Sequence, residues 1–196
     1  MSNPTPRKAT PDDALALAEL MDQAGEGIPS WLWAQDAQGG ETALDVGIAR
    51  ARRSEGSFSY TNASVLEDAG QVAGMLLGYL QPADIDVEKE LEGVPDFLVP
   101  LVELECLAPG TFYINALAVY PHHRSKGYGS LLMAEAERRA LELATGTLSI
   151  MVFEGNEGAV RLYKRLGFEF AAERQVVKHV STVHTGRELL LTRTIS

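Results

Sequence analysis

The chain has 196 residues, 45% of them hydrophobic, which suits one globular domain with a full core. Lys and Arg number 17 against 27 Asp and Glu, and the resulting net charge of −10 argues against a nucleic-acid binder, which needs a basic face. Uncharged stretches are too short to span a bilayer, no apolar leader begins the chain, and Cys106 is the only cysteine. We therefore expect a cytoplasmic protein without intrachain disulfides or membrane contact.

The first third of the chain predicts two helices after a flexible lead at residues 1–7. Thr10 is a favoured helix N-cap, and the apolar spacing that follows it continues as far as Gly25. A second helix is predicted over residues 42–54. The segment between the helices, residues 28–40, is predicted as a loop, and its two largest aromatic side chains either wall a ligand pocket or anchor the loop: Trp31 and Trp33.

Three strands and an inserted segment follow. Residues 58–66 and 71–80 carry apolar runs on either side of the turn sequence E-D-A-G, which predicts a hairpin. Residues 82–110 depart from this alternation: their first half is acidic, and a short helix is predicted over residues 97–107. Residues 112–119 have the sequence F-Y-I-N-A-L-A-V, which predicts a central strand. We therefore interpret the segment before this strand as an insertion between two core strands.

A basic, glycine-containing loop follows the central strand directly. It has the sequence R-S-K-G-Y-G over residues 124–129, and an amphipathic helix is predicted over residues 131–143. Such a loop before a helix suits a diphosphate, because the unpaired N–H groups and the helix dipole favour an anion. Gly127 and Gly129 would let the backbone approach the ligand closely. A P-loop and a dinucleotide fingerprint are disfavoured, because the Lys-Ser/Thr ending and the first glycine of those motifs are missing.

The last third of the chain predicts a strand, a helix and an antiparallel strand pair. The strand is predicted over residues 147–153, the helix over 157–166, and the strand pair over 168–180 and 188–194. The helix lies within a second sequence block, N-E-G-A-V-R-L-Y-K-R-L-G-F, which begins at Asn156.

The basic loop and the second block, in this order, resemble the GCN5-related N-acetyltransferase (GNAT) superfamily over roughly residues 8–195. The resemblance implies an α/β (α+β) fold with a central mixed, largely antiparallel sheet that helices flank and whose fourth and fifth strands splay apart. Residues 1–196 would form a single GNAT domain, with the first strand near residues 7–9 and the insertion 82–110 before the fourth strand. The implied function is acetyl-CoA-dependent N-acetylation of a primary amine of a small molecule or peptide, by direct attack in a ternary complex. The alternative is a non-catalytic acyl-CoA-binding regulatory module on the same fold.

The resemblance also implies where acetyl-CoA would bind. Main-chain N–H groups of the basic loop and the helix start would hold its diphosphate, and strand edges would hold its pantetheine arm. Val119 would also stabilise the oxyanion through its N–H group. The implied binding residues are Leu117, Ala118, Val119, Arg124, Ser125, Lys126, Gly127, Tyr128, Gly129, Ser130, Asn156, Ala159 and Tyr163.

Tyr163 is the implied general acid. A phenol with an ordinary pKa of about 10 is protonated at neutral pH and can give its proton to the leaving thiolate. The alternative is an aromatic side chain that packs against Phe168. Asn156 has two interpretations as well, either a contact to pantetheine or an N-cap of the helix that follows it.

The general base has no clear candidate, because the predicted central strand contains no acid. Asn115 could orient a water molecule, and Glu103 and Glu105 are speculative bases whose simpler interpretation is a solvated charge. A water chain to bulk solvent is a further alternative. No metal is expected, because no ligand cluster accompanies His122 and His123. The acidic charge is compatible with a cationic acceptor, and a homodimer, common in the family, stays open.

Overall fold

The computed structural model describes residues 4–195, so the first three residues of the predicted flexible lead lie outside the described part. The chain divides into two compact units. The first unit comprises Met1–Tyr79 and Ala116–Ala136, and the second comprises Leu80–Asn115 and Glu137–Ser196. The expectation of one domain over the whole chain stays a prediction.

Three antiparallel strands belong to the first unit: β1 (Thr5–Lys8), β2 (Ala63–Asp68) and β3 (Gln71–Leu80). β2 pairs with both β1 and β3, and the hairpin turn between β2 and β3 is formed by Ala69 and Gly70, with φ of 52° and 80°. Positive φ at both turn residues is typical of tight hairpins. The predicted hairpin is confirmed. The predicted flexible lead is wrong for residues 5–7, which lie in β1.

The predicted strand over residues 58–66 begins too early. Ser59 Oγ accepts a hydrogen bond from the Thr61 amide at 3.1 Å and donates one to the Arg53 carbonyl at 2.5 Å. Side-chain bonds to the nearby backbone favour a turn over a strand. A short 3-10 turn, Tyr60–Asn62, therefore occupies the segment before β2.

Three helices lie between β1 and β2: α1 (Ala14–Ala24), α2 (Ile28–Asp36) and α3 (Ala43–Ala51). Thr10 and Asp13 form a capping box ahead of α1, as the Thr10 signal predicted. The predicted loop over residues 28–40 is wrong, because most of it is α2. Its apolar side chains are not confined to one face, so the pattern gave no signal of an amphipathic helix, although Pro29 at the first turn suits a helix start.

Trp33 anchors α2 in the first unit. Its side chain is 3% exposed and stacks on Phe58 with ring centroids 5.6 Å apart. A Cβ at Gly47 would lie 2.5 Å from the indole, so α3 packs directly against this ring. Trp33 therefore anchors its segment, which is one of the two roles that the sequence allowed; the other was a wall of a ligand pocket. The core of this unit contains Ala9, Ala14, Leu17, Leu20, Ala51, Ala63, Val65, Met75, Leu77, Ala116 and Ala118.

The second unit contains the predicted insertion and the C-terminal strands. The helices of the insertion are α4 (Val87–Glu90) and α5 (Val99–Glu105), and the strands are β4 (Phe112–Val119), which both units share, β5 (Thr147–Phe153), β6 (Glu169–Gln175) and β7 (Arg187–Thr194). β7 pairs antiparallel with β5 and with β6. The predicted strand over residues 168–180 is too long. The strand ends at Gln175, and a turn follows in which the His179 amide donates a hydrogen bond to Thr182 Oγ1 at 2.8 Å.

Within the described residues, seven strands form one mixed sheet in the order β1-β2-β3-β4-β5-β7-β6, which confirms the predicted fold class. The parallel pairs of β4 and β5 run from Phe112↔Leu148 to Ile114↔Ile150. The two remaining helices are α6 (Tyr128–Glu142) and α7 (Glu157–Arg165). α6 begins earlier than predicted. Leu143, the last residue of the predicted helix, is 48% exposed and follows the end of the observed one.

Candidate active site

Two left-handed residues turn the chain from the loop after β4 into α6. Ser125 has φ of 61° and Gly127 has φ of 82°. The Gly127 carbonyl accepts the first helical bonds, from the amides of Ser130 at 3.0 Å and Leu131 at 3.3 Å. A Cβ at Gly127 would meet no atom within 4 Å. The conformation, rather than crowding within the chain, therefore requires glycine here, and the space beside this residue is open.

The open space lies at the segment for which the sequence predicts diphosphate binding. Tyr128 and Gly129 begin the first turn of α6, where backbone N–H groups lack carbonyl partners within the helix, whereas the Ser130 amide bonds to the Gly127 carbonyl. These groups and the positive end of the helix dipole favour an anion. The predicted loop over residues 124–129 is wrong for Tyr128 and Gly129, which are helical, but this position strengthens the argument for anion binding.

The two basic side chains of the loop make contacts within the first unit and stay exposed. Arg124 Nε donates to the carbonyl of Val119 at 3.3 Å. Lys126 Nζ lies 3.3 Å from His123 Nδ1 and 3.7 Å from Asp68 Oδ2. Because these contacts are long and both cations are at the surface, each can turn toward an anion in front of α6.

Asp68, the last residue of β2, anchors the start of α6. Its Oδ2 accepts a hydrogen bond from the Tyr128 hydroxyl at 2.7 Å and lies 3.4 Å from His123 Nδ1. The bond from Tyr128, helped by the charge of Lys126, holds the pKa of Asp68 below its usual value, although burial opposes this. Burial lowers the pKa of His123, so this ring favours the neutral form. Sequence reasoning missed Asp68, because strand pairing, not a local motif, brings it to the loop.

Gly74 lets β3 lie close to the end of β4. A Cβ at Gly74 would lie 2.7 Å from the Ala118 carbonyl oxygen and 3.1 Å from Val119 Cγ2. From α1, Gln23 Nε2 donates a hydrogen bond to the Val119 carbonyl at 3.1 Å. Both Gly74 and Gln23 were missed, because neither belongs to a motif. They position Ala118 and Val119, whose contacts with pantetheine, like those of Leu117 and the oxyanion role of the Val119 amide, stay predictions.

In the second unit, Asn156 caps α7. Its Oδ1 accepts a hydrogen bond from the Ala159 amide at 3.2 Å, and its own amide donates to the Phe153 carbonyl at 2.8 Å. The N-cap interpretation is therefore confirmed. The same bond brings together Asn156 and Ala159, which are both predicted binding residues. A contact of Asn156 with pantetheine stays a prediction.

Tyr163 lies on the buried side of α7 and is 5% exposed. Its ring packs against Phe168, with centroids 5.8 Å apart and planes tilted by 54°. Burial, and then the negative charge of Glu188, raise the pKa of Tyr163 well above its usual value. The packing interpretation is confirmed, and the phenol is protonated at neutral pH, as a general acid requires. Its role in catalysis stays a prediction.

The speculative bases have structural partners within the second unit. Glu103 accepts from Arg174 Nε at 3.4 Å, and Glu105 accepts from Gln81 Nε2 at 3.0 Å. These contacts favour the simpler interpretation of both side chains as surface charges. Asn115 is half-buried in β4, and its predicted contact with a water molecule is not tested.

Residues 4–195 contain neither a membrane-spanning helix nor a cluster of metal-binding side chains. No helix in this part of the chain is long and apolar enough to cross a membrane. No group of three or more His, Cys, Asp or Glu side chains in the same residues is arranged to hold a metal ion.

The model of the acetyltransferase (GNAT) family matches residues 26–168. The chain belongs to the GNAT family. Among curated proteins, this GNAT chain is similar to L-ornithine N5-acetyltransferase of Arabidopsis thaliana, with 30% identity over 34% of the chain and 29% of that protein. It is also similar to streptothricin acetyltransferase of Streptomyces lavendulae, with 40% identity over 29% of the chain and 30% of that enzyme. The matched segment thus spans less than a third of each of these relatives.

Solved structures share the GNAT fold over nearly the whole chain. Drosophila melanogaster polyamine N-acetyltransferase, which forms N-acetylagmatine, superposes with a TM-score of 0.70 at 14% identity, covering 98% of this chain and 100% of that one. A putative acetyltransferase from Salmonella typhimurium, solved with its cofactor acetyl-CoA, gives a TM-score of 0.60 at 18% identity, covering 100% of this chain and 95% of that one. At these identities the similarity establishes the fold alone.

Proposed function

We propose that this GNAT protein is an acetyl-CoA-dependent N-acetyltransferase that acetylates a primary amine by direct attack in a ternary complex. The observation that carries the proposal is the turn at Ser125 and Gly127, which places open space in front of the first turn of α6. The N–H groups of residues 127–129 would hold the diphosphate of acetyl-CoA, and Arg124 and Lys126 would add positive charge.

Bound at this loop, acetyl-CoA supplies the acetyl group and a thiolate leaving group. Val119 would donate its main-chain N–H to the carbonyl oxygen, and Tyr163 would donate its proton to the sulfur. The protonated state of the buried Tyr163 phenol supports the second role. We also propose that the acceptor is a cationic small molecule, which suits the net charge of −10 and the ornithine and agmatine chemistry named for similar proteins.

The test is CoA release in the presence of acetyl-CoA and an amine panel that contains agmatine, L-ornithine and a peptide with a free amino terminus. We expect release with at least one amine. The variant Tyr163→Phe should lower kcat by about 10²- to 10³-fold, because general acid catalysis has this magnitude, with little change in acetyl-CoA affinity. Tyr60→Phe, the same change at a tyrosine without a proposed role, should behave like the wild type.

The competing function is a non-catalytic acyl-CoA-binding module, which the lack of an acid in β4 favours. This alternative predicts that acetyl-CoA binds but that no amine in the panel releases CoA. Equal release by wild type and Tyr163→Phe would remove the acid role while leaving the transferase function intact.

A further inference from the structure

A buried carboxylate lies near the predicted general acid in the second unit. Glu188, on β7, is 4% exposed, and its negative charge acts on Tyr163. In the sheet, Glu188 lies opposite Phe153, the last residue of β5, on one side and opposite Arg174 of β6 on the other. Glutamate is rarely buried to this extent, so its position calls for a specific role.

Glu188 lies on the sheet face that α5 covers. Leu190, two residues later on β7, packs with Leu104 of α5, and residues two apart on a strand share a face. Arg174 is on this face as well, because its guanidinium reaches Glu103 of α5 at 3.4 Å. Next to Glu188 in the register, the Phe153 ring packs against His184, with centroids 5.1 Å apart and planes tilted by 39°. The charged and titratable groups around Glu188 are therefore Tyr163, Arg174, Glu103 and His184.

We propose that Glu188 is the general base, which takes a proton from the ammonium group of the acceptor. This inference rests on the acetyltransferase function proposed above. The observations that carry it are the burial of the carboxylate, its position opposite the end of β5, and its proximity to Tyr163. The ligand class that a carboxylate base serves is a protonated primary amine, because its ammonium group carries the proton that the carboxylate takes.

The protons and bonds balance in this scheme. The acceptor gives one ammonium proton to the Glu188 carboxylate, and its freed electron pair forms the C–N bond to the acetyl carbonyl carbon. As the C–S bond breaks, Tyr163 gives its proton to the sulfur, and the second proton of the nitrogen restores the Tyr163 hydroxyl. Glu188 then releases its proton to solvent. The products are the amide, the CoA thiol and one proton.

An acid–base pair needs one side chain that keeps its proton at neutral pH and another that can accept a proton. Tyr163 keeps its proton, because burial and the charge of Glu188 raise its pKa. A carboxylate beside such a phenol offers an oxygen that can accept a proton. Pairs of titratable groups with opposed environments are typical of acid–base sites.

The test compares wild type with Glu188→Gln, which keeps the shape of the side chain and removes its charge. With an amine that the wild type acetylates, we expect Glu188→Gln to lower kcat at pH 7 by about 10²- to 10⁴-fold. The deficit should shrink as the pH approaches the pKa of the amine, because free amine then needs no base. Glu188→Asp, which keeps the carboxylate, should retain part of the activity, and Glu169→Gln, an exposed glutamate on β6, should retain all of it.

A second measurement does not depend on turnover. Alkaline absorbance titration follows tyrosine ionisation, with Tyr163→Phe as the reference that assigns the Tyr163 signal. Removing the charge of Glu188 should move the Tyr163 ionisation to lower pH. Wild-type rates in Glu188→Gln at pH 7, or a deficit that is constant with pH and accompanied by a lower melting temperature, would overturn the base role alone. Acetyl-CoA binding without CoA release by the wild type would instead refute the proposed function, and the base role with it.

Discussion

The Tyr128 hydroxyl donates a hydrogen bond to Asp68 Oδ2 at 2.7 Å, and this bond ties the first residue of α6 to the last residue of β2. The helix start that we propose to bind diphosphate is therefore held by the β2–β3 hairpin. Because Asp68 also lies 3.7 Å from Lys126 Nζ, the same carboxylate holds a cation beside the loop. A negative charge near an anion site is tolerated here, because the hydroxyl and the ammonium group both stabilise it.

Removing the hydroxyl of Tyr128 should loosen the helix start. The variant Tyr128→Phe keeps the ring and its packing but loses the bond to Asp68. We expect acetyl-CoA affinity to fall roughly three- to tenfold, the effect of one hydrogen bond on an equilibrium, with a small decrease in melting temperature. Calorimetric titration and thermal unfolding measure the two effects. Unchanged affinity would show that this bond does not position the loop.

Gly74 should be intolerant of any side chain. A Cβ there would lie 2.7 Å from the Ala118 carbonyl oxygen, so Gly74→Ala must push β3 and β4 apart. We expect a loss of about 1–3 kcal/mol in the free energy of unfolding, the usual effect of overpacking, together with weaker acetyl-CoA binding. Gly146→Ala is the matched control, because the nearest atom to its Cβ would be 3.8 Å away. Equal stability of the two variants in urea would contradict the prediction.

The capping residue Asp13, ahead of α1, should make the free energy of unfolding depend on pH in the acid range. Burial opposes ionisation of Asp13, but bidentate bonds from Arg7 at 2.8 and 2.9 Å and bonds from Thr10 outweigh it and hold the pKa below its usual value. A depressed pKa contributes stability above the unfolded value of about 3.9, and this contribution is lost as pH falls through the folded pKa. Asp13→Asn should cost about 1–2 kcal/mol at pH 7.

Urea unfolding between pH 7 and pH 3 checks this prediction. The gap between wild type and Asp13→Asn should narrow below about pH 4, where the carboxylate of the unfolded chain takes up a proton, and it should go on narrowing until the pH reaches the lower pKa of the folded state. Asp12→Asn serves as the control, because Asp12 is exposed. A gap that stays constant with pH would mean that the ionisation of Asp13 is not linked to folding.

Local sequence patterns predicted the parts of the candidate site that are contiguous in the chain. The basic loop, the helix after it and the position of Asn156 before α7 follow from glycine spacing and capping signals, which act over a few residues. Asp68, Gly74 and Glu188 could not be predicted in this way. Each is placed by strand register, which joins residues distant in sequence and leaves no mark in local composition.

In the fold as well, local sequence patterns predicted some elements, while tertiary contacts determine others. The hairpin, the central strand and α7 were predicted, because their turns and periodicities are local. α2 was missed because its stability comes from the packing of Trp33 against Phe58 and α3, a tertiary contact that overrides a weak helical pattern. The ends of β2 and β6 were misplaced where side-chain bonds from Ser59 and Thr182 turn the backbone away from strand geometry.

The central claim is that the turn at Gly127 binds acetyl-CoA, and calorimetric titration of acetyl-CoA into wild type and Gly127→Val tests it most directly. Gly56→Val is the matched control, because Gly56 has φ of 88° and Gly127 has φ of 82°, and the Cβ positions of both lie in open space. We expect binding to wild type and Gly56→Val, and at least a tenfold loss in Gly127→Val, since a branched side chain disfavours this conformation and projects into the anion site. No heat of association with the wild type, or equal affinity in all three proteins, would contradict the account.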